Sequence, residues 1–191
     1  MPLLLIVIIV IALIFDFLNG LHGASNIVAT MISSRAMSPR NALIMSAGAH
    51  FVGPFLFGVA VATTIGSEVV DPAAISSAVI IAALISAIFW KLLTWYFGWP
   101  SSTSHALIGG LVGAVAVAAG FETINLAGLE KVLLALFLSP LLGLALGYLT
   151  LKTIYFLARG ASPRINTLFK RSQLGTSLAL ALSHGTNDAQ K

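Results

Sequence analysis

The chain has 191 residues, 58% hydrophobic and only 8% charged, with a mean hydropathy of +1.01. A soluble domain carries about a quarter charged residues, so this composition excludes one and places the chain in a lipid bilayer. The formal net charge is +4, but the ten basic residues are scattered or sit in short polar breaks, which is the pattern of membrane orientation and not of nucleic-acid binding. The chain has no cysteine, which removes thiolate metal sites, disulfides and thiol catalysis.

A membrane-spanning helix needs roughly 20 mostly apolar residues. Six stretches qualify in whole or part, at about 2–19, 41–65, 73–97, 101–120, 130–157 and 173–191. The first has no basic leader and no small-residue cleavage pattern, so it reads as a span and not as a cleaved signal peptide. Arg35 and Arg40 follow it. Glu68 and Asp71 follow the second stretch, Glu122 and Glu130 flank the loop after the fourth, and Arg159, Arg164, Lys170 and Arg171 lie between the fifth and sixth. The positive-inside rule then puts 33–40 and 158–172 in the cytoplasm, with 66–72 and 121–129 outside. The break at Gly98–Pro100 is then expected in the cytoplasm, and with every stretch crossing, the first and last run in opposite directions; a re-entrant hairpin in this region would change that count of crossings.

Two stretches are expected to be discontinuous. Leu3 to Ser34 would make one helix of about 48 Å, against a bilayer core of about 30 Å, so a break is expected near Asn19-Gly20 or His22-Gly23. The fourth stretch opens Trp99-Pro100-Ser101-Ser102-Thr103-Ser104-His105. Proline does not fit a helix interior, and Ser101 or Ser102 is a natural N-cap. Residues 163–172 read either as a basic amphipathic connector on the cytoplasmic surface or as a solvated loop. Gly109–Gly113 and Gly143–Gly147 have the spacing of close helix contacts.

Polar groups at membrane depth are costly and mark paths or sites. Ser183-His184-Gly185-Thr186-Asn187-Asp188-Ala189-Gln190-Lys191 ends the last apolar run. Asp188 there can bind a cation, carry a proton or pair with a base, and Asn187 and Gln190 offer donors and acceptors. Hydroxyls and free N–H groups at 101–104 favour an anion, and His105 either donates to it or packs. Asp16, Asn19 and His22 share one helical face, which Ser25 continues. A second histidine and a carboxylate set are missing, so this face suits a substrate path better than a metal. His50 reads as a packed core histidine.

Four blocks together resemble the inorganic phosphate transporter (PiT) family. They are Phe15-Asp16-Phe17-Leu18-Asn19-Gly20-Leu21-His22 with its continuation to Thr30, Arg35–Arg40, Gly98–Gly110 and Ser183–Lys191. The resemblance implies an all-α polytopic bundle: an inverted-repeat symporter with discontinuous helices that moves inorganic phosphate with a sodium ion or proton by alternating access in the cell membrane, without an enzymatic step or a bound cofactor. Residues 1–172 would hold the first repeat, a crossing helix and the connector, and 173–191 would begin the second. Family members continue past the second signature, so the chain is expected to be truncated, its site completed by a missing C-terminal half or by a homo-oligomer. The substrate residues implied are Asn26, Ser102, Thr103, Ser104, Asn187 and Gln190. The coupling-cation residues implied are Asp188 and Asn187, with Asp16 and Ser25. One departure stands out: Gly23 occupies a position where the family usually has Asp. The competing readings are a sulfate permease on the same scaffold and a degenerate, non-transporting membrane partner.

Overall fold

The computed structural model describes residues 2–58, 60–163 and 165–188. Seven α-helices are present among them: α1 Pro2–Ser33, α2 Pro39–Phe57, α3 Ala60–Ser67, α4 Ser77–Tyr96, α5 Thr103–Ala119, α6 Leu126–Leu157 and α7 Ile165–Asp188. Single 3-10 turns at Pro72–Ala74 and Phe121–Thr123 precede α4 and α6. The described residues form no strand, only one isolated antiparallel bridge between Val70 and Ile124. In an apolar medium each backbone group must be satisfied within the chain, and helices do this locally. Polar residues start four of the helices: the side chains of Ser38, Ser76, Ser102 and Asn125 each accept from a backbone N–H of the first turn.

α1 is unbroken over 32 residues. This corrects the expected break at Gly20 or Gly23. A glycine costs a helix interior roughly 1 kcal/mol, whereas opening the ladder would strand backbone N–H and C=O groups away from water, which costs more. The second apolar stretch is the discontinuous one. Pro54 supplies no N–H within α2, the helix ends at Phe57, and Gly58 turns the chain with φ +80° before α3 begins. Residues 165–172 form no separate connector; they are the first turns of α7 itself.

α4 and α5 form an antiparallel hairpin around Val79, Ala83, Ile108, Leu111 and Val115. Phe15 of α1 packs against its middle, on Leu84, Ala87, Ala106 and Leu107. The hairpin's turn lies beside the middle of α1, because the Trp95 and His22 rings meet edge to face at 6.2 Å. That contact is about 16 Å along the axis from the Ser33 end of α1. The Gly98–Pro100 turn therefore does not reach that end, and the hairpin is re-entrant. Removing two crossings leaves the expected sides of all other loops unchanged, since two is an even number. The Val70–Ile124 bridge holds the two acidic loops together at one end. At the other end, Ser34 Oγ donates to Gln173 Oε1 at 2.6 Å.

α2 and α7 cross on small residues. Ala42, Ser46, Ala49 and Gly53 are buried on α2, and Ser177, Ala181 and Gly185 on α7. A Cβ on Gly53 would lie 2.6 Å from the Leu182 carbonyl oxygen, and one on Gly185 would strike the backbone of His50. In the hairpin it is Gly110, not Gly109 or Gly113, that meets the partner helix: its Cβ would lie 2.6 Å from the Ala83 carbonyl oxygen. Gly143 and Gly147 likewise meet nothing within 4 Å. They belong to α6, whose residues 137–157 are all exposed. Gly128 anchors the start of α6 against the Glu68 carbonyl. α1, α4 and α6 are each long and apolar enough to cross a membrane.

Candidate functional site

The polar clusters of α1, α7 and the α4–α5 turn converge halfway along the bundle. Asn19 is 5% exposed, and its Oδ1 accepts from Thr103 Oγ1. The same hydroxyl oxygen accepts from Lys91 Nζ at 3.0 Å. One buried threonine thus ties α1, α4 and α5 together, as a satisfied polar network must do in a low-dielectric interior.

Around this tie lies a polar cavity of about 230 Å³, walled by α1 (Asn19, His22, Gly23, Asn26), Lys91, the segment Ser101–Ser104 and, from α7, His184 and Asp188. Two of its polar atoms, Ser101 Oγ and His22 Nε2, are buried with no hydrogen-bond partner. His22 Nδ1 donates to the Leu18 carbonyl at 2.7 Å, so Nε2 is the free position. It accepts in the neutral ring and donates to an anion in the imidazolium. Orphaned buried polar atoms are rare, and two in one cavity mark a place for a polar ligand. The first turn of α5 adds backbone N–H groups and the positive end of a helix dipole.

A larger, mostly apolar cavity of about 470 Å³ opens between α1, α2 and α7, and Asp16, Asn19, Gly23, Ser46, His50, His184 and Asp188 reach it. A third, of about 550 Å³, lies between α3, α5, α6 and α7, and holds Thr64, Ser104, Ser139, His184, Asn187 and Asp188. His184 and Asp188 line all three cavities. His184 Nδ1 lies 3.2 Å from Asp188 Oδ2 and 3.0 Å from His50 Nε2. A single ring proton at Nδ1 serves one of these neighbours at a time. Gly23 faces this chain: a Cβ there would come within 3.1 Å of His184 Cε1.

The structure sorts the expected site residues. Ser102, Thr103, Ser104, Asn26 and Asp188 come together at the polar cavity. Ser102 also caps α5, accepting from the His105 N–H at 3.4 Å. Asp16 opens onto the apolar cavity and Asn187 onto the third. Ser25 is not brought in: it is exposed, its Oγ donates to the His22 carbonyl at 3.2 Å, and it lines none of these three cavities. Gln190 lies outside the described residues. Sequence reasoning missed Lys91 and the His50–His184–Asp188 chain. The signal for Lys91 was available, since it is a lone cation within the otherwise uncharged run from Pro72 to Phe121. The histidine chain depends on the α2–α7 crossing, which no local pattern reports.

These features define a multi-span helical membrane protein whose polar groups gather inside the bundle. The chain belongs to the phosphate transporter family, whose pattern it matches over residues 19–162. It is 44% identical over 191 residues to a probable low-affinity inorganic phosphate transporter of Bacillus subtilis, covering 98% of this chain and 57% of that protein. A protein of the same description from Streptomyces halstedii is 45% identical over 186 residues, covering 95% of this chain and 86% of the relative. Among solved structures, one described as the sodium-dependent phosphate transporter superposes with a TM-score of 0.73 at 23% identity, over 97% of this chain and 55% of that one. The chain spans little more than half the length of several curated relatives it matches. The family is one of transporters and not of enzymes.

Proposed function

We propose that the protein containing this chain is a symporter that moves inorganic phosphate across the cell membrane with a sodium ion or proton, by alternating access around the polar cavity. The observation that carries this reading is the pair of orphaned buried atoms, Ser101 Oγ and His22 Nε2, facing the N-terminus of α5. Ser101 Oγ can donate to an oxyanion, as can Nε2 when the His22 ring is an imidazolium, beside the N–H groups of the helix start. Phosphate is held by the Ser101, Ser102 and Ser104 hydroxyls and by first-turn N–H groups, Thr103's among them, with Asn26 on the facing wall; the Thr103 hydroxyl itself is committed to Asn19 and Lys91. Asp188 binds the coupling cation or takes a proton, and its contact with His184 gives the proton a route to His50. Asp16 and Asn187 guard the flanking cavities. Antiparallel α1 and α7, whose polar clusters meet at Gly23 and His184, support an inverted repeat that begins again within α7. In this reading the described residues supply one half of such a site, and the chain covers 57% of the length of the Bacillus subtilis relative.

The test is uptake of labelled phosphate into proteoliposomes holding the full-length protein, with a sodium or proton gradient imposed in turn. Saturable uptake is expected, with a loss of at least tenfold in Asp188→Ala. Uptake that is absent, or indifferent to Asp188→Ala, refutes the reading. Sulfate is the competing substrate. Hydrogen phosphate can donate a proton to a facing carboxylate and sulfate cannot, so a tenfold excess of sulfate is expected to leave phosphate uptake nearly unchanged.

A further inference from the structure

The polar cavity contains a positive charge that belongs to the protein. Lys91 is 1% exposed, and its Nζ donates to Thr103 Oγ1 at 3.0 Å on the cavity wall. Lysine is almost never fully buried unless it is paired, because an ammonium removed from water must be compensated by opposite charge or by donor-accepting oxygens. The Thr103 hydroxyl is such an oxygen, and Asp188 is the only carboxylate lining this cavity among the described residues. A second negative charge entering the cavity would meet the ammonium at short range in a low dielectric, where the attraction is strong. The network also fixes Lys91: its amine is tied to Thr103, and Thr103 to Asn19. A charge held in place before the ligand arrives binds it without the cost of ordering a flexible side chain.

We propose that Lys91 is a tethered cation of the anion site. Its ammonium provides one of the positive charges that accompany the phosphate dianion, which a dissolved coupling ion would otherwise have to bring. Transport by this protein therefore moves one cation fewer per phosphate than it would with a neutral residue at position 91. The inference rests on the phosphate reading above and names how the same site is charged.

The experiment compares the full-length wild type with Lys91→Gln and Lys91→Arg in proteoliposomes. Phosphate flux, current, and the dependence on sodium and on protons are measured together. Glutamine keeps an N–H for Thr103 and loses only the charge. Expected for Lys91→Gln are a phosphate KM raised at least tenfold at low cation concentration, a steeper cation dependence, and about one more charge moved per phosphate. Lys91→Arg keeps the charge and is expected to keep the wild-type charge moved per phosphate whatever its KM, a split that loss of packing alone would not produce. A Lys91→Gln protein with wild-type KM and wild-type charge per phosphate overturns the inference. Phosphate binding to the purified wild type in choline buffer, free of sodium, is the second measurement. Saturable binding is expected, and an absolute need for sodium overturns the inference even if the glutamine variant fails to accumulate. A wild type that neither binds nor transports phosphate under any gradient refutes the phosphate reading itself, an outcome distinct from a null result at Lys91 alone.

Discussion

Thr103 is the residue on which the polar cluster depends, because its one hydroxyl is both donor and acceptor. It donates to Asn19 and accepts from Lys91. Thr103→Val keeps the shape and leaves each neighbour short of a partner, at about 1–3 kcal/mol per buried group. A lowered melting temperature in detergent is expected for Thr103→Val and little change for Thr103→Ser; equal melting of both would show the tie to be unimportant. Gly23 poses a different question. Position 23 is helical, and a Cβ there would come within 3.1 Å of His184 Cε1, a contact that a shift of the ring by a few tenths of an ångström relieves. Gly23→Asp should therefore fold, and it adds a carboxylate beside His184 and Asp188. Its uptake is expected to depend more steeply on sodium than the wild type's, and coincident sodium curves would contradict this. Most residues of the site were legible from sequence, because Ser, Asn and Asp at membrane depth stand out against an apolar background. Ser25 shares the face by spacing but lies exposed outside the three cavities, because helical spacing assigns a face without saying whether that face has a neighbour.

At the scale of elements, the α2–α7 crossing is made by missing side chains. Pro54 brings no N–H to the His50 carbonyl, and Gly185 lets α7 approach that part of the backbone. Gly185→Ala is expected to force the helices apart at a cost of about 1–3 kcal/mol, whereas Gly143→Ala, which meets nothing within 4 Å, should be tolerated and stabilise α6 by up to roughly 1 kcal/mol. Unfolding of both variants side by side checks the contrast, and equal stability would refute the crossing. The expected glycine pairs identified helices with small faces, but contact fell on Gly110, one position from the predicted stripe. A one-residue step turns a helix by about 100°, and only the partner's position decides which step is used. Just past the end of α3, Glu68 Oε2 accepts from Lys131 Nζ of α6 at 2.6 Å, which holds the Glu68 carboxyl below its ordinary value of 4.5. A depressed carboxylate stabilises the fold fully above its unfolded value and loses that contribution as pH falls through the folded one. The pair is exposed, so the effect is small and screened by salt. Lys131→Gln should be slightly less stable than wild type near neutral pH at low ionic strength, should converge with it as the pH falls, and should show no difference from it in high salt.

For the whole molecule, the basic and acidic loops occupy opposite ends of the bundle, with Ser34 bonded to Gln173 at one and Val70 bridged to Ile124 at the other. The chain has no cysteine of its own, so single reporters can be introduced cleanly. Cysteines at Ser34 and Ser162 are expected to react with a membrane-impermeant thiol reagent only from the cytoplasmic side, and cysteines at Asp71 and Glu122 only from outside. The reverse pattern would invert the orientation. α6 is apolar all round and exposed along most of its length, which fits a helix facing lipid or the remainder of a longer transporter.

What the sequence determined by itself is the membrane class, the positions and ends of most helices, and the polar blocks that carry the family resemblance. Each of these follows from local composition, where hydropathy, capping residues and stranded polar groups leave their mark within a few positions. Only the tertiary structure decided that α1 runs unbroken past its glycines, that the α4–α5 hairpin turns back at the level of the site, and that Lys91 and the His50–His184–Asp188 chain belong to it. These outcomes rest on which helix lies against which. In an apolar medium that choice is made by close packing of small residues and by pairing of buried polar groups from distant parts of the chain, and neither is written in any single segment.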